Sequence, residues 1–134
     1  MANIDYLLKE LTDPKNEINT VRNGLKTTVV ESFLEKEQLA VKDILARLDI
    51  PASTYFAKKK NHQPLDSNST EKLIRLMNVM KMSTQVLGAA AAHEWIFKKI
   101  PSLDNEVPLN LLDTEAGHRL VVQALLQIKH GVYS

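Results

Sequence analysis

The 134-residue chain has no cysteine. That excludes a disulfide framework and any thiolate chemistry, and it fits a cytoplasmic protein. Only four glycines occur, at positions 24, 88, 117 and 131. They form neither a glycine-rich phosphate loop nor a Gly-x-Ser-x-Gly nucleophile elbow. Gly24 and Gly131 stand where helices should end, and Gly88 and Gly117 where helices could pack closely. The histidines, His62, His93, His118 and His130, include no i, i+4 pair and no His-x-x-Glu set, so no metal site and no cofactor are expected. No apolar run is long enough to span a bilayer, and Met1-Ala2-Asn3-Ile4-Asp5 is no signal peptide. Strand signals are nearly missing as well. The remaining expectation is a soluble, cytoplasmic, all-α protein without catalytic machinery and without a membrane partner.

Net charge is close to zero, but its distribution is uneven. Residues 1–39 hold 5 Lys/Arg against 7 Asp/Glu, residues 40–85 hold 8 against 4, and residues 86–134 hold 4 against 5. The positive charge sits in the middle third, where a polyanion could use it.

Helical periodicity recurs along the whole chain. A first helix is expected near Ile4–Leu11, closed by Thr12-Asp13-Pro14, because proline disfavours helical geometry before it. Others are expected near Asn16–Asn23, Thr28–Glu37 and Val41–Leu48. After the turn Asp49-Ile50-Pro51 comes a helix from Pro51 to Lys60. Beyond the polar connection 61–68, Asn68 with Glu71 resembles a capping box opening a helix to Lys81. Ser83 should cap the next helix, which carries Ala89–Ala92 and Trp95. Trp95 reads as an anchor of a small C-terminal core.

Two short helices joined by a tight turn, with lysines late in the second, make the pattern of a DNA-binding helix-turn-helix. On a helical wheel Tyr55, Ala52 and the stem of Lys59 point inward above Ile50. Ser53, Thr54, Ala57, Lys60 and Asn61 point outward. That outer set is short, polar and basic, suited to base edges and phosphates, with Lys58 and Lys60 flanking the groove. Arg47, Lys72 and Arg75 are candidate phosphate partners. A three-helix core with a merely solvated second helix is the competing reading.

The last helix is apolar over too much of its circumference for one packing partner. Leu120, Val121, Ala124, Leu125 and Ile128 fill one face, as expected of a core stripe of roughly 100°. Val122 and Leu126 fall on the far side, and Arg119, Gln123, Gln127 and His130 form the polar strip. The second apolar stripe calls for another protein surface.

The C-terminal segment resembles the toxin-binding domain of the Xre/MbcA/ParS antitoxins. The resemblance rests on Trp95-Ile96, Ile100-Pro101-Ser102-Leu103, the run Pro108-Leu109-Asn110-Leu111-Leu112-Asp113-Thr114-Glu115-Ala116-Gly117, and the ending Ile128-Lys129-His130-Gly131-Val132-Tyr133-Ser134. Gly24-Leu25, Val41–Leu48, Ile50–Tyr55 and Pro64-Leu65 resemble the Xre-type helix-turn-helix region of the same family. Where relatives carry a glycine-containing turn before the Pro-Leu pair, this chain reads Leu103-Asp104-Asn105-Glu106-Val107; its recognition helix also lacks arginine. The resemblance covers roughly residues 20–134 and implies a helix-turn-helix DNA-binding domain (23–85) and a small helical toxin-binding or dimerisation domain (86–134); the N-terminal helical extension (1–22) expected before them lies largely outside it. It implies a type II antitoxin, non-enzymatic, that neutralises a cognate toxin of the RES kind consuming NAD⁺ or transferring ADP-ribose. It further implies repression of its own operon, with operator DNA and a homodimer as partners. The DNA-binding residues would be Ser53, Thr54, Ala57, Lys58, Lys60 and Asn61. The toxin-binding or dimer surface would use Trp95, Pro108, Leu109, Leu112, Arg119, Val122, Leu126, Lys129, His130, Gly131, Val132, Tyr133 and Ser134. The tail, with the carboxylate of Ser134, would enter an arginine-lined phosphate pocket of the toxin. The alternative is a helix-turn-helix repressor with a C-terminal dimerisation domain and no toxin.

Overall fold

A computed structural model describes residues 13–131; the helix expected at Ile4–Leu11 and the tail Val132–Ser134 lie outside them. Among the described residues the chain is all-α: α1 (Pro14–Asn23), α2 (Thr27–Lys36), α3 (Val41–Arg47), α4 (Ala52–Lys60), α5 (Ser67–Leu87), α6 (Ala89–Trp95) and α7 (Glu115–Lys129). Two short 3₁₀ turns, Pro101–Leu103 and Pro108–Leu111, join α6 to α7. The only β pairing among them is one isolated antiparallel bridge, Ile100 to Glu106.

The chain divides into two compact units, and the division falls inside α5, between Ile74 and Arg75. The sequence places the junction later, at 85–86. In the first unit α4 packs on both α2 and α3. Its core is Val30, Phe33, Leu34, Ile44, Leu45, Leu48, Ile50, Tyr55, Leu65, Leu73 and Ile74. Burying each such side chain contributes roughly 1.5–3 kcal/mol. α1 opens with Pro14 at its first position and the Asp13 carboxylate accepting from the Lys15 N–H at 3.1 Å. The link from α1 to α2 is tied to the start of α5: Leu25 N–H donates to the Thr70 hydroxyl at 3.1 Å, and Leu65 N–H to the Leu25 carbonyl at 2.9 Å.

α5 starts and stops where the sequence reading did not place it. Its N-terminus is capped by Asp66, whose carboxylate accepts from Ser69 N–H at 2.7 Å and Ser69 Oγ at 3.1 Å. Asn68 lies inside the helix and caps nothing. Ser83, expected to cap the following helix, is buried in the interior of α5 with its hydroxyl donating to the Met80 carbonyl at 3.2 Å. That back-bond satisfies a serine within a helix. The interruption comes five residues later, at Gly88, whose φ of +87° stops one helix and starts the next.

The second unit packs both 3₁₀ turns on α7. Its core comprises Leu76, Met77, Val79, Met80, Ala92, Ile96, Leu103, Leu109, Leu112, Val121, Ala124 and Leu125. Ile96 is the deeply buried anchor of this core, and Trp95 beside it is half-buried. Gly117 makes the close approach possible. A Cβ there would run into the Leu111 carbonyl, so only glycine lets the first turn of α7 lie against the second 3₁₀ turn.

Candidate functional site

Two surfaces carry the chemistry, one in each unit. In the first, α3 and α4 are joined by Leu48-Asp49-Ile50-Pro51, with Asp49 at φ +55°. The buried Lys72, 8% exposed, donates from Nζ to the Asp49 carbonyl at 2.9 Å, bracing the turn. Tyr55 fixes the rotation of α4. Its ring is fully buried, and its hydroxyl donates to Glu31 Oε2 at 3.1 Å. Burial first, and then Glu31, push the phenol well above its ordinary value, so it remains a protonated donor. Lys59 pairs with the other oxygen of Glu31 at 3.0 Å. The middle lysine of Lys58-Lys59-Lys60 is thereby turned towards α2.

With Tyr55 held inward and Lys59 paired to Glu31, the outer face of α4 presents Ser53, Thr54, Ala57, Lys60 and Asn61, all exposed, with Lys58 half-buried beside them. One inward assignment is corrected: Ala52 is exposed, because it lies in the first turn, beyond the edge of the core. Two of the candidate phosphate partners, Lys72 and Arg75, are corrected too. The Lys72 ammonium is committed to Asp49. Arg75 sits in the second unit at 11% side-chain exposure, its Nε on the Leu112 carbonyl at 2.9 Å and its Nη2 on the Asp113 carbonyl at 3.0 Å. Arg47 forks onto Asp43 at 2.9 and 3.1 Å.

The second surface is α7. Thr114 caps it by accepting from Gly117 N–H at 3.0 Å. Arg75 clamps the two carbonyls just before that cap and reaches Glu115 at 3.8 Å. A planar guanidinium suits a fork onto two neighbouring carbonyls in a way an ammonium does not. The buried face is Gly117, Val121, Ala124 and Leu125. Leu120, expected in that stripe, is 51% exposed; Leu126, expected outside it, is 40% exposed. The reason is size. The contact stripe is centred on the small residues Gly117 and Ala124, which let α7 approach closely and rotate Leu120 to the rim. Val122 and Ile128 are half-buried, and Arg119, Gln123, Lys129, His130 and Gly131 are exposed. Apolar side chains therefore flank a polar strip on both sides.

Three residues proposed as contacts belong to the interior instead. Pro108, Leu109 and Leu112 are buried in the second unit's own core, where they seat the 3₁₀ turn under α7. Val132, Tyr133 and Ser134 lie outside the described residues. The departure at 103–107 has a simple geometry: Asp104 and Asn105 take φ of +56° and +63°, the left-handed conformations a glycine would otherwise supply. Short Asp and Asn side chains tolerate that region best, and the Ile100–Glu106 bridge closes the turn.

His118, in the first turn of α7, has both ring nitrogens buried without a hydrogen-bond partner. Burial lowers its pKa; Glu115 opposes the shift, and Arg75 adds to it. No three His, Asp or Glu side chains among the described residues converge as a metal site. No helix among them is long and apolar enough to cross a membrane.

Comparison with known proteins follows the same two-part division. Residues 17–78 match the antitoxin Xre-like helix-turn-helix domain, and residues 83–131 match the antitoxin Xre/MbcA/ParS C-terminal toxin-binding domain. The chain carries both domains and belongs to the Xre/MbcA/ParS antitoxin family. Similar proteins include the Prs ADP-ribosylating antitoxin of a Sphingobium species, 24% identical over 131 residues that cover 90% of this chain and 82% of that protein. An antitoxin Xre of Photorhabdus laumondii is 24% identical over 120 residues, covering 87% and 81%. Another, from Pseudomonas putida, is 30% identical over 83 residues, covering 61% and 52%. The chain is thus an antitoxin with a toxin-binding domain.

Proposed function

We propose that this antitoxin neutralises a RES-type toxin that consumes NAD⁺ or transfers ADP-ribose, and that it represses its own operon as a DNA-bound homodimer in the cytoplasm. The observation that carries the neutralising role is the open flank of α7. Val121, Ala124 and Leu125 are buried, yet Leu126 stays exposed with Val122 half-buried beside it. A soluble helix holds such side chains at its surface for a protein partner. Lys129, His130 and Gly131 continue that flank to the end of α7, and the segment 132–134 would extend it into the toxin's NAD⁺ site. The type of toxin is supported by the family and by the name of the Sphingobium relative. DNA binding is supported by the exposed Ser53-Thr54-Ala57-Lys60-Asn61 face of α4.

The test is co-expression with the toxin encoded by the neighbouring gene. Growth should be restored and cellular NAD⁺ preserved by the wild-type antitoxin. Removing residues 131–134 should release NAD⁺ consumption while the two proteins still co-purify; continued neutralisation would reduce the mechanism to steric cover. A neighbouring gene whose product neither binds this chain nor touches NAD⁺ would overturn the toxin assignment.

A further inference from the structure

The ends of α5 and α7 enclose an open groove of about 460 Å³. Met82, Gln85 and Val86 line it from α5, and Ile128 and Lys129 from α7, all within the second unit. Met82, Val86 and Ile128 are half-buried, whereas Gln85 and Lys129 are exposed. The groove therefore joins apolar walls to a polar rim, and its volume lies within the roughly 300–1,000 Å³ that holds a small organic group. Walls of this kind suit an aromatic ring with a polar tip. The Met82 thioether favours ring contact, the Lys129 ammonium favours the ring face, and a phenol oxygen can stay at the wet rim. Lys129 ion-pairs with no carboxylate among the described residues, which leaves its ammonium available.

Such a ring lies close by in the sequence. Gly131 follows α7 with φ +67°, and its N–H donates to the Ile128 carbonyl at 3.2 Å. That bond belongs to a Schellman turn, which ends the helix and takes the chain off its axis. Tyr133 comes two residues later. Two residues span at most about 7 Å, enough to reach side chains one turn back but not the far end of α7. Ile128 lies two residues beyond Leu126, hence about 160° from it around the helix. The groove and the Leu126 flank are thus on opposite sides of α7, and one tail cannot lie on both.

We propose that this groove is the resting seat of the chain's own tail: in the free antitoxin Tyr133 fills it, and a toxin must draw Tyr133 out before the segment 132–134 can enter its pocket. The first half stands on the groove alone; the second rests on the proposed contact between tail and toxin. The seat then sets affinity by competition, since toxin engages only the fraction of molecules whose tail is out.

The absence of cysteine from the chain allows a direct test. Gln85→Cys and Ser134→Cys are introduced together into the full chain, leaving Tyr133 in place. Disulfide formation under mild oxidation is followed on non-reducing gels, with folding checked by circular dichroism. A disulfide needs its two Cα atoms within about 7 Å. The pair should close within one chain at least about tenfold faster than a control pair, Ala116→Cys with Ser134→Cys, because Ala116 is exposed at the other end of α7, about 22 Å from Gly131. Tyr133→Ala should erase most of that advantage, and Tyr133→Phe should keep it. Saturating toxin, with the complex confirmed by co-purification, should slow closure about tenfold. Equal rates for the two pairs, or a fast pair indifferent to Tyr133→Ala, would overturn the seat. So would cross-links that join two chains instead of closing one, which would assign the groove to a second copy. Closure at an unchanged rate in a confirmed complex would overturn the competition. Failure of the wild-type chain to bind any toxin would count against the proposed function instead, and the toxin-free rates would still decide the seat.

Discussion

The two units leave opposite kinds of side chain unmatched. Among the described residues the first leaves Ile18 as its one strongly exposed large hydrophobic and sets Lys60 outside on α4, with Lys58 half-buried beside it. The second does the reverse: it draws the Arg75 guanidinium in against two carbonyls and leaves Leu120 and Leu126 at the surface. Each arrangement is costly unless something complements it. Like charges gathered on one helix favour a polyanion, and leucines held in water favour a protein surface. The proposed division into a nucleic-acid surface and a toxin surface rests on this contrast between the two exposures.

The sharpest way to break that contrast is to charge α7. Val122→Asp with Leu126→Asp should lower toxin affinity about 1,000-fold in calorimetry, as expected when two interface anchors are lost. Operator binding by the same variant should be unchanged; a matching loss there would mean the two surfaces are not separate. Next in size is Gly117→Ala, which forces a methyl group against the Leu111 carbonyl. It should destabilise the second unit by about 3 kcal/mol, read from denaturant unfolding. Reversing Lys58 and Lys60 to Glu should weaken operator binding about 100-fold and flatten its dependence on salt, with toxin binding intact. Arg75→Lys keeps the charge but loses the fork, and should cost about 1–2 kcal/mol of stability without altering the salt dependence of DNA binding.

The smallest effect concerns pH. The folded state holds His118 below its ordinary value of 6.5, so the unfolded chain takes up the proton more readily. Stability is therefore complete above pH 6.5 and falls as pH drops through that value towards the folded pKa. Thermal melts at about pH 7.5 and pH 5.5 should differ by a few degrees. His118→Leu should shrink that difference; an unchanged gap would assign the acid sensitivity to other groups.

Much of this division was legible in the chain. The short helices α3 and α4 fall within a residue of their expected positions, because Pro51 and the Val41, Ile44, Leu45 and Leu48 pattern mark them locally. The inward turn of Tyr55 followed from the wheel. The rotation of α7 did not: a helix apolar on most of its circumference offers several stripes, and which one packs depended on the closeness that Gly117 and Ala124 allow. Nor could spacing tell that Pro108, Leu109 and Leu112 are interior, since a motif marks a residue without saying which way it faces. Ser83 misled for a related reason, as a serine that bonds back to Met80 has the same local sequence as one that caps.

Lys72 carries a practical consequence for any survey of basic residues in this antitoxin. Because its ammonium holds the peptide carbonyl between α3 and α4, replacing it with alanine should loosen α4 and, under the proposed DNA-binding role, imitate the loss of a direct DNA contact. Only the ionic-strength slope will tell the two apart: a brace leaves the number of released counterions as it was, whereas a true phosphate ligand lowers it by about one.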